Sequence, residues 1–437
     1  MAMPTVISPV ADVCRSAKRA ARELARTDTA VKDAALRAIA EALGERMEEI
    51  LEANERDMQN GREADIGDAL LDRLRLDDGR ITAVAEAVRQ IAALPDPVGE
   101  VIEGRRLANG LDVRKVRVPL GVIAVVYEAR PNVTIDAAAL CLKSGNAIVL
   151  RGSSSAAHSN DALAQIAAEA SVAAGLPAGC VGLVAGGGRE ELAELATQRD
   201  TVDLIIPRGG EGLKAALEQV ATVPVIYAAS GNCHVYVDAS ADLDQAEEIV
   251  INAKVQRPGV CNAAETLLVH SDVAEEFLPR VLSSLAGAGV LVRADERTLA
   301  VAASRSAQAQ GGNIEPAGAV LELADEDDWA SEYLALTLAV RVVDSAEEAI
   351  EHIGRYGSGH SEAIVTCDTA AARAFQLGVD AACVYVNAST RFTDGGEFGM
   401  GAEIGNSTQK LHVRGPIGLR ELCTFKYLIE GDGHVRA

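Results

Sequence analysis

Short apolar segments alternate with helical segments along most of this chain, and this alternation constrains the fold more than any other feature. The first of them, 121–127, is apolar throughout, as expected of a strand with both faces buried. Similar segments follow at 147–150, 181–184, 202–206 and 223–226, with helical patterns between them. Strands that alternate with helices in this way predict a mostly parallel, doubly wound sheet.

A second alternating set begins at Cys233. Its apolar segments are 234–237, 266–269, 338–343, 363–366 and 383–386. Two such sets predict two α/β domains with a cleft between them, which is a common place for an active site. The segments 30–60 and 73–94 instead show the spacing of amphipathic helices, and we assign them no chemistry.

Between these helices and the first set, 105–118 is predicted to be a β-hairpin. Asn109-Gly110 between extended segments is the strongest short-range signal for a hairpin. The hairpin is rich in Arg and Lys. Its spacing fits an arm that contacts a second subunit as well as it fits a plain surface ribbon.

The charge and the cysteines exclude several classes of protein. With 64 acidic and 41 basic residues, the net charge is −23, which disfavours non-specific binding to nucleic acid or to anionic membranes. No segment reaches the ~20 apolar residues of a membrane helix, and the N-terminal residues lack the pattern of a secretory signal. The eight cysteines show no metal-site spacing. We therefore expect a cytoplasmic protein without a metal.

The residues most capable of chemistry cluster at 252–265. Pro258-Gly259 forces a loop directly before Cys261, and Lys254 and Arg257 lie upstream of it. Positive charge near a thiol lowers its pKa and favours the nucleophilic thiolate. Spacing alone fits a structural cysteine too, whereas the loop context favours a nucleophile.

Two glycine-rich loops, Gly186–Gly188 and Arg208–Gly210, each follow a predicted strand and precede a helix. Glycines at such positions let backbone N–H groups approach a phosphate at the helix N-terminus. Neither loop matches the dinucleotide fingerprint, and both also fit ordinary tight turns. Arg151 follows a third strand, where an arginine can meet the 2′-phosphate of a cofactor.

Longer stretches of sequence resemble a single family. They are 119–123, 127–134, 142–147, 231–234, 252–265, 356–364 and 395–418. Through them, nearly the whole chain resembles the γ-glutamyl phosphate reductases, also called glutamate-5-semialdehyde dehydrogenases, of the aldehyde dehydrogenase superfamily. The stretches around Cys261 and at 395–418 are specific to this family rather than to the superfamily.

The resemblance implies an aldehyde-dehydrogenase-like α/β fold with two doubly wound parallel-sheet domains and a small β-hairpin arm. Residues 1–104 and 119–230 would form the cofactor-binding domain, and 231–411 the catalytic domain. Residues 105–118 and 412–437 would form an oligomerisation arm, so the resemblance also implies a homo-oligomer.

The resemblance further implies roles for individual residues. Cys261 would be the nucleophile, and Asn132 the side-chain amide that helps to bind the oxyanion. The implied cofactor-binding residues are Arg151, Ser153, Gly186, Gly187, Gly188, Arg208, Gly209, Gly210 and Glu332. The implied substrate-binding residues are Arg257, Asn262 and Arg414, of which the two arginines are chosen by their charge.

The implied reaction is the reduction of L-glutamyl 5-phosphate by NADPH to glutamate 5-semialdehyde, through a thioester on Cys261. This is the second step of proline biosynthesis, and it makes a glutamate 5-kinase a candidate partner. Two alternatives stay open: an oxidising aldehyde dehydrogenase, and a catalytically weak nucleotide-binding subunit of a kinase. Tyr227 and Asn406 replace a Glu and an Ile of many family members. The lost Glu would activate water in an oxidising enzyme, so Tyr227 disfavours the first alternative.

Overall fold

The computed structural model describes residues 9–186, 188–227, 230–309 and 321–436. The chain divides into two units. The first comprises Met1–Ala228, Gly399–Gly405 and Ile417–Ala437, and the second Ala229–Phe398 and Asn406–Pro416. Each unit is built around a parallel sheet, as the alternation of apolar and helical segments predicts.

The helices are α1 (Pro9–Leu24), α2 (Thr29–Glu45), α3 (Met47–Glu63), α4 (Asp68–Leu74), α5 (Asp78–Ala93), α6 (Asn132–Lys143), α7 (Ala157–Ala173), α8 (Arg189–Ala196), α9 (Glu211–Val220), α10 (Leu243–Val255), α11 (Ser271–Gly287), α12 (Glu296–Ala309), α13 (Ala346–Tyr356) and α14 (Thr369–Gly378). None of these helices, within the described ranges, combines the length and the apolar character of a membrane span.

The strands are β1 (Val101–Arg106), β2 (Asp112–Pro119), β3 (Val122–Tyr127), β4 (Ala147–Arg151), β5 (Val181–Leu183), β6 (Leu204–Arg208), β7 (Cys233–Val237), β8 (Ala264–His270), β9 (Leu291–Ala294), β10 (Leu321–Leu323), β11 (Thr337–Val343), β12 (Ser361–Val365), β13 (Cys383–Val386), β14 (Asn406–Ser407), β15 (Gly415–Pro416) and β16 (Cys423–Glu430).

The sheet of the first unit has the order β5-β4-β3-β6, and all its strands are parallel. Every residue of β3 and β4 is buried, which explains why β3 and the first four residues of β4 are apolar. From β3 the chain first moves outward through β4 and β5 and then returns to β6. The crevice between β3 and β6 is therefore the topological switch point, where open α/β sheets bind ligands.

The predicted strand at 223–226 is wrong. Val225 makes only an isolated bridge with Ile205. Pro224 lies in the middle of this segment and has no N–H to donate to a ladder, although its carbonyl oxygen accepts from the Ile205 N–H at 2.9 Å.

The sheet of the second unit contains seven parallel strands in the order β10-β9-β11-β8-β7-β12-β13. The sequence predicts five of them. It misses β9 and β10, because they are short and partly exposed and so lack a continuous apolar run. The main core of this unit packs α10 and α11 against β8, and contains Phe277, Leu267 and Val281.

The boundaries of the two units differ from the predicted domains. Gly399–Gly405, expected in the catalytic domain, belongs to the first unit, because the Ile404 N–H donates to the Ile417 carbonyl oxygen and the Ile417 N–H to the Gly405 carbonyl oxygen. Residues 412–416, expected in the arm, belong to the second unit instead.

The predicted hairpin is present as β1 and β2, and its turn is closed by a Leu107 N–H to Leu111 carbonyl bond of 2.8 Å. β16 pairs with β2 to complete a three-stranded antiparallel sheet. Phe425, Tyr427 and Ile429 alternate along the edge strand β16 and are exposed, which suits contact with a second copy of the chain. The oligomerisation arm stays a prediction, which light scattering of the purified chain would test.

Candidate functional site

Cys261 lies in the loop between α10 and β8, at the amino-terminal edge of the second unit's sheet. Cys261 is partly exposed, whereas six other cysteines are buried and Cys367 is exposed. A nucleophile needs both access and a defined position. Cys261 is thus the cysteine whose surroundings suit that role.

The backbone of Gly231 packs directly against Cys261. A Cβ atom at Gly231 would lie 1.6 Å from the Cys261 carbonyl oxygen, so only glycine fits. The Cys233 thiol donates to the same oxygen at 3.2 Å. Burial raises the pKa of Cys233 well above its ordinary value, which keeps this thiol protonated and able to donate.

Glu332 supports this packing. Its Oε1 accepts a hydrogen bond from the Gly231 N–H at 2.6 Å. The carboxylate that the resemblance assigns to the nicotinamide ribose therefore also holds the glycine against Cys261. Its contact with a ribose stays a prediction.

Lys254 and Glu265 form an ion pair with an Nζ to Oε2 distance of 2.5 Å, and both side chains are 0% exposed. Burial lowers the pKa of Lys254 and raises that of Glu265, to about 7. The pair joins the last turn of α10 to β8 and so closes the loop that carries Cys261. The charge of Lys254 is thus balanced by Glu265, contrary to the expectation that Lys254 supplies positive charge to the thiol.

Two arginines, Arg257 and Arg391, place positive charge near Cys261. Arg391 donates from Nε to Oε1 of Gln256 at 2.9 Å. Burial lowers the pKa of Arg391, the charge of Arg257 lowers it further, and a Cys261 thiolate raises it. Sequence analysis missed Arg391, because no local spacing relates it to a loop 135 residues away.

Asn262 fixes the same region. Its Nδ2 donates to the carbonyl oxygens of Thr393, at 2.9 Å, and Arg391, at 3.3 Å. The Thr390 hydroxyl donates to the Asn262 carbonyl oxygen at 2.7 Å. The amide hydrogens that would bind substrate are therefore directed at the protein backbone.

Arg414 lies apart from Cys261. Its Nη1 pairs with Asp380 at 2.8 Å, beside the segments that enter β12 and β13. These strands are two and three positions along the sheet from β8, or roughly 10 Å or more at about 4.8 Å per strand. Hydrogen bonds from Lys410 and Arg414 lower the pKa of Asp380. The role of Arg414 in binding substrate stays a prediction.

In the first unit, the carboxyl ends of β3 and β6 meet at the switch point. The Glu128 N–H donates to the Arg208 carbonyl oxygen at 3.2 Å, and the Gly210 N–H donates to Glu128 Oε2 at 3.1 Å. A Cβ at Gly209 would lie 2.6 Å from the same carboxylate. A negative group thus already occupies the N-terminus of α9, where a cofactor phosphate is expected. The sequence motif contains Glu128 but gives no sign of this contact.

Arg151 ends β4 and is only 6% exposed. Its Nη2 donates to the Gly188 carbonyl oxygen at 2.6 Å. Burial lowers the pKa of Arg151, and the charges of Glu191 and Glu128 oppose that shift. The Glu191 carboxylate would meet a Cβ at Gly186 or Gly188 within 3 Å. The predicted cofactor site around Arg151 and Gly188 therefore contains side chains of both charges.

The third glycine of that loop, Gly187, lies outside the described residues. Ser153, also predicted to bind cofactor, accepts a hydrogen bond at Oγ from the Ala129 N–H at 3.1 Å. Ala129 has a positive φ of 38°, which is uncommon for a residue with a Cβ. Ser153 therefore holds the turn that leads into α6.

Asn132 is the first residue of α6, and its Nδ2 donates to Asp136 Oδ2 at 2.9 Å. Burial raises the pKa of Asp136 to about 6, and the hydrogen bond from Asn132 opposes that shift. This bond fixes which end of the amide carries the nitrogen. Because a side-chain amide nitrogen has two hydrogens, a second donor remains on Asn132. Its role at an oxyanion stays a prediction.

The model of the aldehyde dehydrogenase family matches residues 8–311 of this chain. The gamma-glutamyl phosphate reductase of Thermobifida fusca is 54% identical over 434 residues, which cover 99% of this chain and 100% of that protein. That of Moorella thermoacetica is 56% identical and covers 96% of this chain and 97% of its own length. This chain belongs to the gamma-glutamyl phosphate reductases of the aldehyde dehydrogenase family.

Solved structures agree with this family and with the predicted fold. A gamma-glutamyl phosphate reductase from Thermotoga maritima superposes with a TM-score of 0.93 at 45% identity, over 98% of this chain and 100% of that one. An acetylating aldehyde dehydrogenase from Geobacillus thermoglucosidasius gives a TM-score of 0.65 at 20% identity, over 98% of this chain and 97% of that one. The second likeness concerns the fold alone, and the predicted aldehyde-dehydrogenase-like fold is confirmed.

Replacing Gly231 by alanine should displace the nucleophile. The new Cβ would clash with the Cys261 backbone and shift the thiol relative to Arg391, whose charge favours the reactive thiolate. We expect Gly231→Ala to slow the alkylation of Cys261 by iodoacetamide by about tenfold or more, as measured by peptide mass spectrometry.

Gly259→Ala, within the loop that carries Cys261, is the matched control. A Cβ there would meet only the Leu334 carbonyl oxygen, at an ordinary 3.7 Å. Its alkylation rate should stay near that of the parent. Equal rates for both variants would show that the Gly231 contact does not position Cys261.

Proposed function

We propose that this chain reduces L-glutamyl 5-phosphate to L-glutamate 5-semialdehyde and phosphate, with NADPH as reductant and Cys261 as nucleophile. The observation that carries the proposal is that Cys261 is partly exposed, lies on a loop closed by a buried ion pair and packs against Gly231. Relatives at 54% and 56% identity named gamma-glutamyl phosphate reductase support the substrate. The reaction would be the second step of proline biosynthesis from glutamate.

The proposed chemistry starts with the Cys261 thiolate, which forms a bond to the γ-carbonyl carbon of the acyl phosphate. The oxyanion is stabilised by the Cys261 N–H, with the Asn132 amide as the predicted second donor. The bond from carbon to the phosphate oxygen then breaks, and phosphate leaves with the electron pair.

A bound nicotinamide cofactor supplies the hydride that reduces the resulting thioester. The carbon–sulfur bond then breaks, and its electron pair regenerates the thiolate as the aldehyde leaves. No water attacks the thioester in this sequence, so a water-activating carboxylate is not required. Tyr227 stands where many relatives have a Glu, which is consistent with a reaction that needs no water-activating carboxylate.

Membership of the aldehyde dehydrogenase family implies a nicotinamide cofactor. The Gly210 N–H donates to an anion, the Glu128 carboxylate, at the N-terminus of α9, and a cofactor phosphate bound there would have to displace that carboxylate. Gly209 and Gly210 would hold the phosphates there. We propose that Arg151 reads the 2′-phosphate of NADPH, while Glu191 opposes it.

We further propose two partners. A second copy of the chain would bind at β16 through its exposed row of apolar side chains. A kinase that phosphorylates the γ-carboxylate of glutamate would make this acyl phosphate, so a glutamate 5-kinase is the second proposed partner.

The reaction can be tested in reverse with glutamate 5-semialdehyde and NADP. The purified chain should form NADPH over many turnovers only when inorganic phosphate is present, because phosphate must discharge the thioester before the next turnover. Cys261→Ala should abolish turnover and leave NADPH binding nearly intact. Oxidation without phosphate would indicate an oxidising aldehyde dehydrogenase instead, and full activity in Cys261→Ala would remove the proposed nucleophile.

The cofactor can be tested with a pair of opposite variants, read out as the Kd for NADPH and for NADH by fluorescence titration. Arg151→Ala should bind NADPH about tenfold or more weakly, since a charge-assisted contact contributes roughly 1.5–3 kcal/mol, and lose less affinity for NADH. Glu191→Gln should shift the preference towards NADPH. Equal changes for both cofactors in both variants would exclude these residues as readers of the 2′-phosphate.

A further inference from the structure

Arg391 is attached to both ends of the loop that carries the nucleophile. Its guanidinium donates to the Gln256 side chain, directly before Arg257. Its carbonyl oxygen accepts from Asn262, directly after Cys261. The neighbouring Thr390 donates to the Asn262 carbonyl oxygen as well. These three contacts hold Arg391 beside the loop. They involve protein groups alone and therefore do not depend on a bound substrate.

The position is electrostatically unfavourable unless an anion is present. Arg391 is half-buried, and both burial and the like charge of Arg257 work against its positive charge. A Cys261 thiolate favours that charge, and by reciprocity the arginine favours the thiolate. The Asp394 carboxylate favours the charge of Arg391 as well, but no ion pair within 4 Å joins these two residues, both of which lie in the described ranges, so the position still suits a further anion.

The chemistry of the guanidinium suits a phosphate. The Nε–H is directed at Gln256, whereas four of the five N–H donors of any arginine lie on its two terminal nitrogens. Those donors form a planar fork that matches two oxygens of a phosphate. Negative charge grows on the leaving phosphate oxygen as its bond to carbon breaks, and a fixed cation stabilises such charge.

We propose that Arg391, together with Arg257, forms an anion subsite beside Cys261 that takes the phosphate of the acyl phosphate and, in the reverse direction, inorganic phosphate. The identity of this anion rests on the proposed function. The existence of the subsite does not, because it follows from the contacts of Arg391 within the second unit.

The subsite can be measured without turnover, by comparing two alkylating reagents of similar size at Cys261. Iodoacetate is an anion and iodoacetamide is neutral, so their rate ratio reports positive charge beside the thiol. The parent should be protected from both reagents by inorganic phosphate. Arg391→Gln should lower the ratio of iodoacetate to iodoacetamide rates by about tenfold and abolish the protection.

Two further variants make the result interpretable. Arg391→Lys keeps the charge without the fork, so it should retain much of the reagent ratio and lose most of the phosphate protection. Arg355→Ala removes an exposed arginine that pairs with Glu326, and it should change neither quantity. An unchanged ratio and unchanged protection in folded Arg391→Gln would overturn the proposal. So would an equal slowing of both reagents with protection retained, since Arg391 would then act on the thiolate alone.

Steady-state kinetics then assign the anion. In the direction of semialdehyde oxidation, Arg391→Gln should raise the KM for phosphate about tenfold or more and leave the KM for NADP near the parent value. A phosphate KM that does not change would contradict the subsite. If the chain has no phosphate-dependent activity at all, the proposed function fails, while the alkylation experiment still decides whether the subsite exists.

Discussion

The Lys254–Glu265 ion pair, enclosed where water cannot reach it, holds together the two ends of the loop that carries Cys261. A buried pair of this kind is tolerated only when it is complete, because loss of one partner leaves an uncompensated charge in the interior. The loop is therefore restricted to conformations that keep both groups together. Gly231 and Glu332 then support Cys261 from the other side. A thiol that must be both exposed and fixed requires such a rigid surrounding.

The two units present their candidate residues at opposite kinds of sheet edge. In the first unit, Glu128, Arg151 and Arg208 follow or end strands, at the carboxyl edge where α/β sheets usually bind ligands. In the second unit, Gly231 and Cys261 precede β7 and β8, at the amino edge. Helix N-termini accompany the first arrangement and suit phosphates. The second arrangement places Cys261, the proposed nucleophile, on a loop that a side chain of β7 contacts and a side chain of β8 helps to close.

Much of this architecture could be predicted, because its causes are local in the sequence. The apolar run of β3 marks a strand buried on both faces, Asn109-Gly110 closes the hairpin, and Pro258-Gly259 forces the loop before Cys261. The pairing of Lys254 with Glu265 and the position of Arg391 beside the Cys261 loop could not be predicted. Each depends on contacts that only the folded sheet creates. The same holds for 399–405, expected in the catalytic domain but part of the first unit.

Direct detection of an acyl group on Cys261 is the measurement that tests this account most closely. The chain would be mixed with glutamate 5-semialdehyde and NADP in the absence of phosphate, quenched in acid and digested for mass spectrometry. We expect a glutamyl thioester on the Cys261 peptide, formed together with one equivalent of NADPH and discharged when phosphate is added. An unmodified Cys261 accompanied by continued NADPH formation, or an acyl group on another cysteine, would contradict it.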